Sequence, residues 1–173
     1  MDTNPTITKT EEAVMISPIQ MLAHWQGHRA LTRKLIEVFP EKEFYELRIG
    51  GMRTFAELCM ELIDIAGPGV KGMATGDWHI DQSDEDMAHS KAPETKKELL
   101  ALWDAGTETI DQYWPRISLE RFQEQDVAFG RYPGPVYGMA LYFIDNEIHH
   151  RGQAYVYLRS LGIEPPAFWD RPN

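Results

Sequence analysis

The stretch Pro135-Val-Tyr-Gly-Met-Ala-Leu-Tyr-Phe-Ile-Asp-Asn-Glu-Ile-His-His-Arg-Gly-Gln-Ala-Tyr-Val-Tyr-Leu-Arg-Ser-Leu161 decides the fold. Val136, Met139, Phe143, Ala154, Leu158 and Leu161 recur at helical spacing, so the segment reads as one long helix with an apolar face. Gly162 is placed to cap its C-terminus, and Pro165-Pro166 forbids its continuation. Asn146, Glu147 and His150 interrupt the apolar stripe in its middle. Polar groups on a core-facing stripe need partners, so these three are the informative anomaly of the sequence.

Three further helices are read outward from this one. One is expected over about Pro93–Trp114, with Leu99, Leu102, Trp103, Ile110 and Trp114 on its buried face and Pro115 ending it. A second begins at Thr54, where Thr54-Phe-Ala-Glu57 fits a capping box and Phe55, Leu58, Leu62 and Ile65 follow. Gly67-Pro68-Gly69 is expected to end it. A third runs from Ser17-Pro18 to Phe39, where Pro40 stops it. Residues 67–92 read as an irregular crossover with the cluster Asp81, Asp84, Glu85 and Asp86, and Trp78 is expected to pin part of it to the body. Residues 116–134 read as a connector. Four such helices without convincing strands predict an all-α four-helix bundle: residues 1–16 a flexible arm, residues 17–173 a single domain.

Composition narrows the function. The 173 residues include 27 acidic and 17 basic side chains, for a net charge of −10. That argues against a nucleic-acid partner and against an anionic membrane surface. The single cysteine, Cys59, excludes a disulfide framework and a cysteine-based zinc cluster, and it reads as a small core residue. No basic n-region precedes an apolar run at the N-terminus, and no stretch approaches ~18 uninterrupted apolar residues. A cytoplasmic location is the expectation.

The candidate chemistry lies on two helices. Asn146 and His150 are one turn apart, and Glu147 neighbours His150 three residues away. Glu57 and Glu61 lie one turn apart on the helix from Thr54. An imidazole with carboxylates suits one divalent metal such as Zn, Ni, Fe or Mn. A second Glu-x-x-His, which a di-iron site needs, is missing. The alternative is a metal-free core histidine bonded to Glu61 or Asn146. His24 and His28 form an i,i+4 pair on the first helix and are read mainly as metal-free. His149 points away from His150 and reads as a surface partner of Asp145. His79 and His89 fall in the acidic crossover, and Arg151 and Arg159 read as ion-pair partners.

Glu147-Ile-His-His-Arg-Gly-Gln153, then Tyr157-Leu-Arg-Ser-Leu-Gly-Ile163 and Pro165-Pro166, resembles the closing motif of the DinB-like superfamily. Met52-Arg-Thr-Phe-Ala-Glu-Leu58 is similar to that family as well. The resemblance implies an up-down-down-up four-helix bundle with a long link between helices two and three. It implies a three-histidine metal site, with one histidine on helix two and a His-x-x-x-His pair on the last helix. At those positions this chain has Glu61, Asn146 and His150, so only His150 matches. The implied metal ligands are therefore Glu61, Asn146 and His150, with Glu57, Glu147, His149, Arg151 and His28 expected around them. The implied activity is that of a metal-dependent hydrolase or a thiol-dependent transferase with a degenerate metal site. The alternative is a non-catalytic small-ligand-binding or dimeric interaction protein whose Glu61/Asn146/His150 cluster holds no metal. A third reading uses Glu61 and His150 as an acid–base pair. An unidentified small molecule is the expected partner, and a homodimer is expected by analogy with the family.

Overall fold

The computed structural model describes residues 15–78 and 90–171. In chain order these form α1 (Pro18–Val38), α2 (Glu41–Glu46), α3 (Phe55–Thr75), α4 (Lys96–Tyr113), a 3-10 turn (Trp114–Arg116), α5 (Leu119–Gln123), β1 (Gln125–Ala128), β2 (Tyr132–Pro135) and α6 (Val136–Ser160). The protein is therefore mostly helical with one small two-stranded sheet. α1 and α3 each pack against both α4 and α6. The arm over residues 1–14 and the cluster Asp81, Asp84, Glu85 and Asp86, with His79 and His89, lie outside the described residues.

The helix starts follow local chemistry. Ser17, Thr54 and Thr95 each accept a hydrogen bond from the backbone N–H three residues on, while Gln20, Glu57 and Glu98 reach back to the cap backbone. Each box satisfies two donors that a helix N-terminus otherwise leaves bare. At the other end of α6, Gly162 takes a left-handed φ of 72° as its backbone closes on Arg159.

Three sequence expectations change. The helix from Thr54 does not stop at Gly67-Pro68-Gly69 but runs on to Thr75, with Gly76 at φ 74° as its terminator. An interior proline costs about 3 kcal/mol through its lost N–H and its clash with the preceding turn. Burial of Ile65, Ala66, Val70 and Met73 around it works in the opposite direction. The glycines serve close packing instead of breaking the helix. A Cβ at Gly69 would lie 2.3 Å from Phe143 Cζ, and one at Gly72 would lie 2.3 Å from the Trp78 ring. Trp78 is pinned as expected, its Nε1 donating to Asp126 Oδ2 at 3.0 Å.

The second change is the connector 116–134, which holds α5 and an antiparallel hairpin pairing Gln125 with Pro135 and Ala128 with Tyr132. Pro133, Gly134 and Pro135 conceal this strand, because none of them has strand propensity. The third is α2, started by the same Pro40 that ends α1.

The apolar core falls into two halves. One gathers Trp25, Val70, Trp114, Phe122, Met139 and Phe143 near the hairpin. The other gathers Leu35, Phe44, Phe55, Leu58, Trp103, Tyr157 and Leu158. On α1, α4 and α6, polar residues fall between the two sets: His28, Arg29 and Thr32; Thr107; and Glu147, His150 and Arg151, with Glu61 of α3 next to His150. This polar belt carries Glu147, His150 and Arg151 among the candidates that the sequence raises on α6. No helix among the described residues is long and apolar enough to cross a membrane.

Candidate functional site

Glu61 lies two turns into α3, and Asn146 and His150 lie one turn apart on α6. Because α3 and α6 pack together, the three meet. Asn146 Nδ2 donates to Glu61 Oε1 at 3.1 Å. His150 Nε2 stands 3.2 Å from the same oxygen. Arg53, just ahead of the α3 cap, donates its Nη2 to Glu61 Oε2. On its other side, His150 Nδ1 meets Gln153 Oε1 at 3.0 Å. Nε2 makes no hydrogen bond of its own. The 3.2 Å approach is thus a close electrostatic contact without hydrogen-bond alignment. His150 Nε2 and Arg53 Nη1 are both buried without a hydrogen-bond partner.

Glu61 is an anion. Burial pushes its carboxyl up, but the contacts from His150, Arg53 and Asn146 outweigh burial and hold it down at about 2. Its side chain remains 13% exposed, and that exposure opens into a pocket of about 410 Å³. Ile65, Phe129, Tyr132, Met139, Tyr142 and Phe143 form much of the wall, and among the described residues Glu61 is the one charged residue in the lining. The volume is that of a small-molecule site. The hairpin builds one side of it. At its tip Phe129 has φ 53°, a conformation that costs a bulky residue about 1–2 kcal/mol. Phe129 is held there against Trp78, the ring centroids 5.5 Å apart.

The residues of this cluster do not fit a resident metal. The donors are one imidazole, one carboxylate and one amide, and among the described residues no three His, Cys, Asp or Glu side chains converge to hold an ion. The Glu61 oxygens each already accept one protein donor, a guanidinium on one and an amide N–H₂ on the other.

The other candidates go elsewhere. Glu57 caps α3 and pairs with Arg48 at 2.7 Å. Exposed His149 contacts Gln153, not Asp145. Glu147 does not share the His150 site, although the two are three residues apart. It accepts from Trp25 Nε1 at 3.1 Å and Thr32 Oγ1 at 2.6 Å, with Arg29 and Arg151 each 3.8 Å away. Arg151 Nη2 and Arg171 Nη1 each approach a ring nitrogen of His28 at 2.7 Å, and His24 lies 3.1 Å from it. Burial first, then Arg151, Arg171 and His24, push the His28 imidazole down to about 3, so it is neutral at pH 7. Arg29 lies over the Trp103 ring at 4.0 Å. Burial pushes the Cys59 thiol well above its ordinary range, as befits an inert core residue.

Arg53, which contacts Glu61, and Phe129, Tyr132 and Tyr142, which line the pocket, are residues that sequence reasoning misses. For the hairpin pair the available signal is Phe129-Gly130 followed by Tyr132-Pro-Gly-Pro135, aromatics around turn formers. For Arg53 the signal is its place directly before a helix cap whose third turn carries Glu61.

The fold has solved counterparts. A DinB-like protein from Bacillus subtilis is similar at TM-score 0.68 and 18% identity, over 88% of this chain and 99% of that one. A DinB-like protein from Bacillus cereus is similar at TM-score 0.64 and 19% identity, over 86% and 95%. A mutant of the mycothiol-dependent maleylpyruvate isomerase is similar at TM-score 0.61 and 15% identity, over 84% and 68%. At these identities the likeness is one of fold. No curated protein matches in sequence. The DinB family matches residues 7–171, so the chain belongs to the DinB family.

Proposed function

We propose that this DinB-family protein binds a small, largely apolar molecule in the pocket between α3, α6 and the hairpin. Glu61, Asn146 and His150 then act as its metal-free polar end. One observation carries the reading: an otherwise apolar cavity of about 410 Å³ ends on an ionised carboxylate that is already held by protein donors. Such a pocket combines apolar area for affinity with one polar group for orientation. The four long helices are proposed as an up-down-down-up bundle whose α3–α4 link spans residues 76–95.

Titration of small aromatic compounds, followed through the methyl resonances of Met139 and Ile65, tests the reading. Saturable shifts at these methyls are expected. Their absence across a chemically varied set would overturn it.

A single divalent metal, the second reading, is favoured by the buried His150 Nε2 that lacks a hydrogen bond. Metal analysis of protein purified without a His tag, then offered Zn, Ni, Fe or Mn, separates the two. Sub-stoichiometric metal throughout is expected, and stoichiometric metal lost in His150→Ala would replace the first reading with the second. A thiol-dependent activity, as in the mycothiol-dependent isomerase, would place the thiol in this same pocket. A homodimer is proposed through the outer face of α6, where Tyr137, Leu141, Ile148 and Val156 are exposed. Light scattering during size exclusion would read two protomers, and a single-protomer mass would remove that part.

A further inference from the structure

We propose that the pocket selects organic cations: an amine carried on a compact aromatic or aliphatic body. The proposal rests on the pocket being a ligand site and assigns the charge of what enters it. Phe129, Tyr132, Tyr142 and Phe143 present aromatic rings to the cavity. Ring faces carry negative electrostatic potential and attract ammonium groups. Among the described residues the single charged group in the lining is the Glu61 carboxylate, and no Lys, Arg or His lines the cavity. An anionic ligand would find there no partner and one repelling charge.

Glu61 has acceptor capacity left for such a ligand. A carboxylate offers about four lone-pair sites, of which Asn146 and Arg53 use one on each oxygen. An ammonium group carries three N–H donors and matches the lone pairs that the carboxylate has free. An uncharged alcohol matches it in shape but brings no charge. Arg53 lies on the far carboxylate oxygen and outside the lining, so its own unpartnered Nη1 is the feature that would have to reach the cavity for an anion to win.

The test uses the intact protein and three probes of nearly one shape: phenethylamine, phenethyl alcohol and phenylacetate, titrated by calorimetry at neutral pH and low salt. Phenethylamine is expected to bind ~10-fold or more tightly than the alcohol, from the added strength of a charge-assisted hydrogen bond, with phenylacetate weakest. In Glu61→Gln the amine is expected to lose its advantage over the alcohol. Should that variant fail to fold, Tyr132→Ala and Tyr142→Ala decide. Both residues are more than half exposed, so the fold survives, and amine affinity is expected to drop more than alcohol affinity. Tightest binding by phenylacetate, equal binding of amine and alcohol, or an amine preference that survives Glu61→Gln overturns the cation assignment and leaves the pocket a ligand site. If none of the three probes binds, the pocket reading falls as well.

Discussion

Glu147 and Glu61 each interrupt an apolar helix face, and each meets arginine. Glu147 is enclosed: its side chain is 2% exposed, and its oxygens are filled by Trp25 and Thr32, with Arg29 and Arg151 behind them. Glu61 is held from one side only. Asn146, Arg53 and His150 surround it, and the remaining side opens on the pocket. A carboxylate whose donors are all protein serves the fold, whereas one with an open side is positioned to meet a ligand.

The comparison breaks most severely at Glu147. Glu147→Ala leaves Arg29 and Arg151 buried without their counter-ion, so urea unfolding should show a loss of about 3–5 kcal/mol. Glu61→Gln should cost no more than about 1–2 kcal/mol in the same assay, because the amide still accepts hydrogen bonds and the site is partly wet. Equal losses at the two positions would erase the distinction.

Gly69→Ala comes next. Its new methyl would meet the Phe143 ring at 2.3 Å, with an expected cost of about 1–3 kcal/mol. Because Phe143 lines the pocket, ligand shifts at Met139 should weaken together with the thermal midpoint. Adding Phe143→Leu should recover stability, which a defect unrelated to the ring would not show.

Acid separates the two regions in a third way. The His28 imidazole on the Glu147 side lies near 3, against 6.5 when unfolded. The unfolded chain therefore binds more protons between those values, and stability falls as pH drops from about 6.5 towards 3. Glu61 is depressed from 4.5 to about 2, so its contribution is full above 4.5 and is lost as pH falls through 2. His28→Asn should flatten the stability curve in the upper window and Glu61→Gln in the lower one, as read by chemical denaturation at stepped pH. The smallest effect is expected from Tyr142→Ala. The residue is 58% exposed, so stability should stay within about 0.5 kcal/mol while binding falls.

Much of this architecture is legible in the sequence because it is written in local chemistry. The capping box at Thr54, the Ser17-Pro18 start, apolar periodicity along α6 and the Gly162 stop each involve residues a few positions apart. Pro68 misleads because its local penalty is set against tertiary burial that periodicity does not measure. The hairpin misleads because proline and glycine occupy strand positions. The meeting of Glu61 with Asn146 and His150 follows from their places on two packed helices. The parting of Glu147 from His150 does not follow so simply. Three residues on a helix turn the side chain about 300°, and that difference is enough to send Glu147 to α1 and His150 to α3. Arg53 and the pocket wall are long-range assemblies from separate segments, with no spacing rule to announce them.

The polar belt between the two apolar halves has a further consequence, for alignment. Apolar side chains attract one another almost without regard to direction, so greasy helix faces alone tolerate a slide of one turn, about 5.4 Å. The bonds of Glu147 to Trp25 and Thr32, and of Arg29 to Thr107, do not. Sliding α6 or α4 past α1 by a turn would strand a buried charge, so these contacts act as dowels that fix the axial positions of the helices and, with them, the mouth of the pocket.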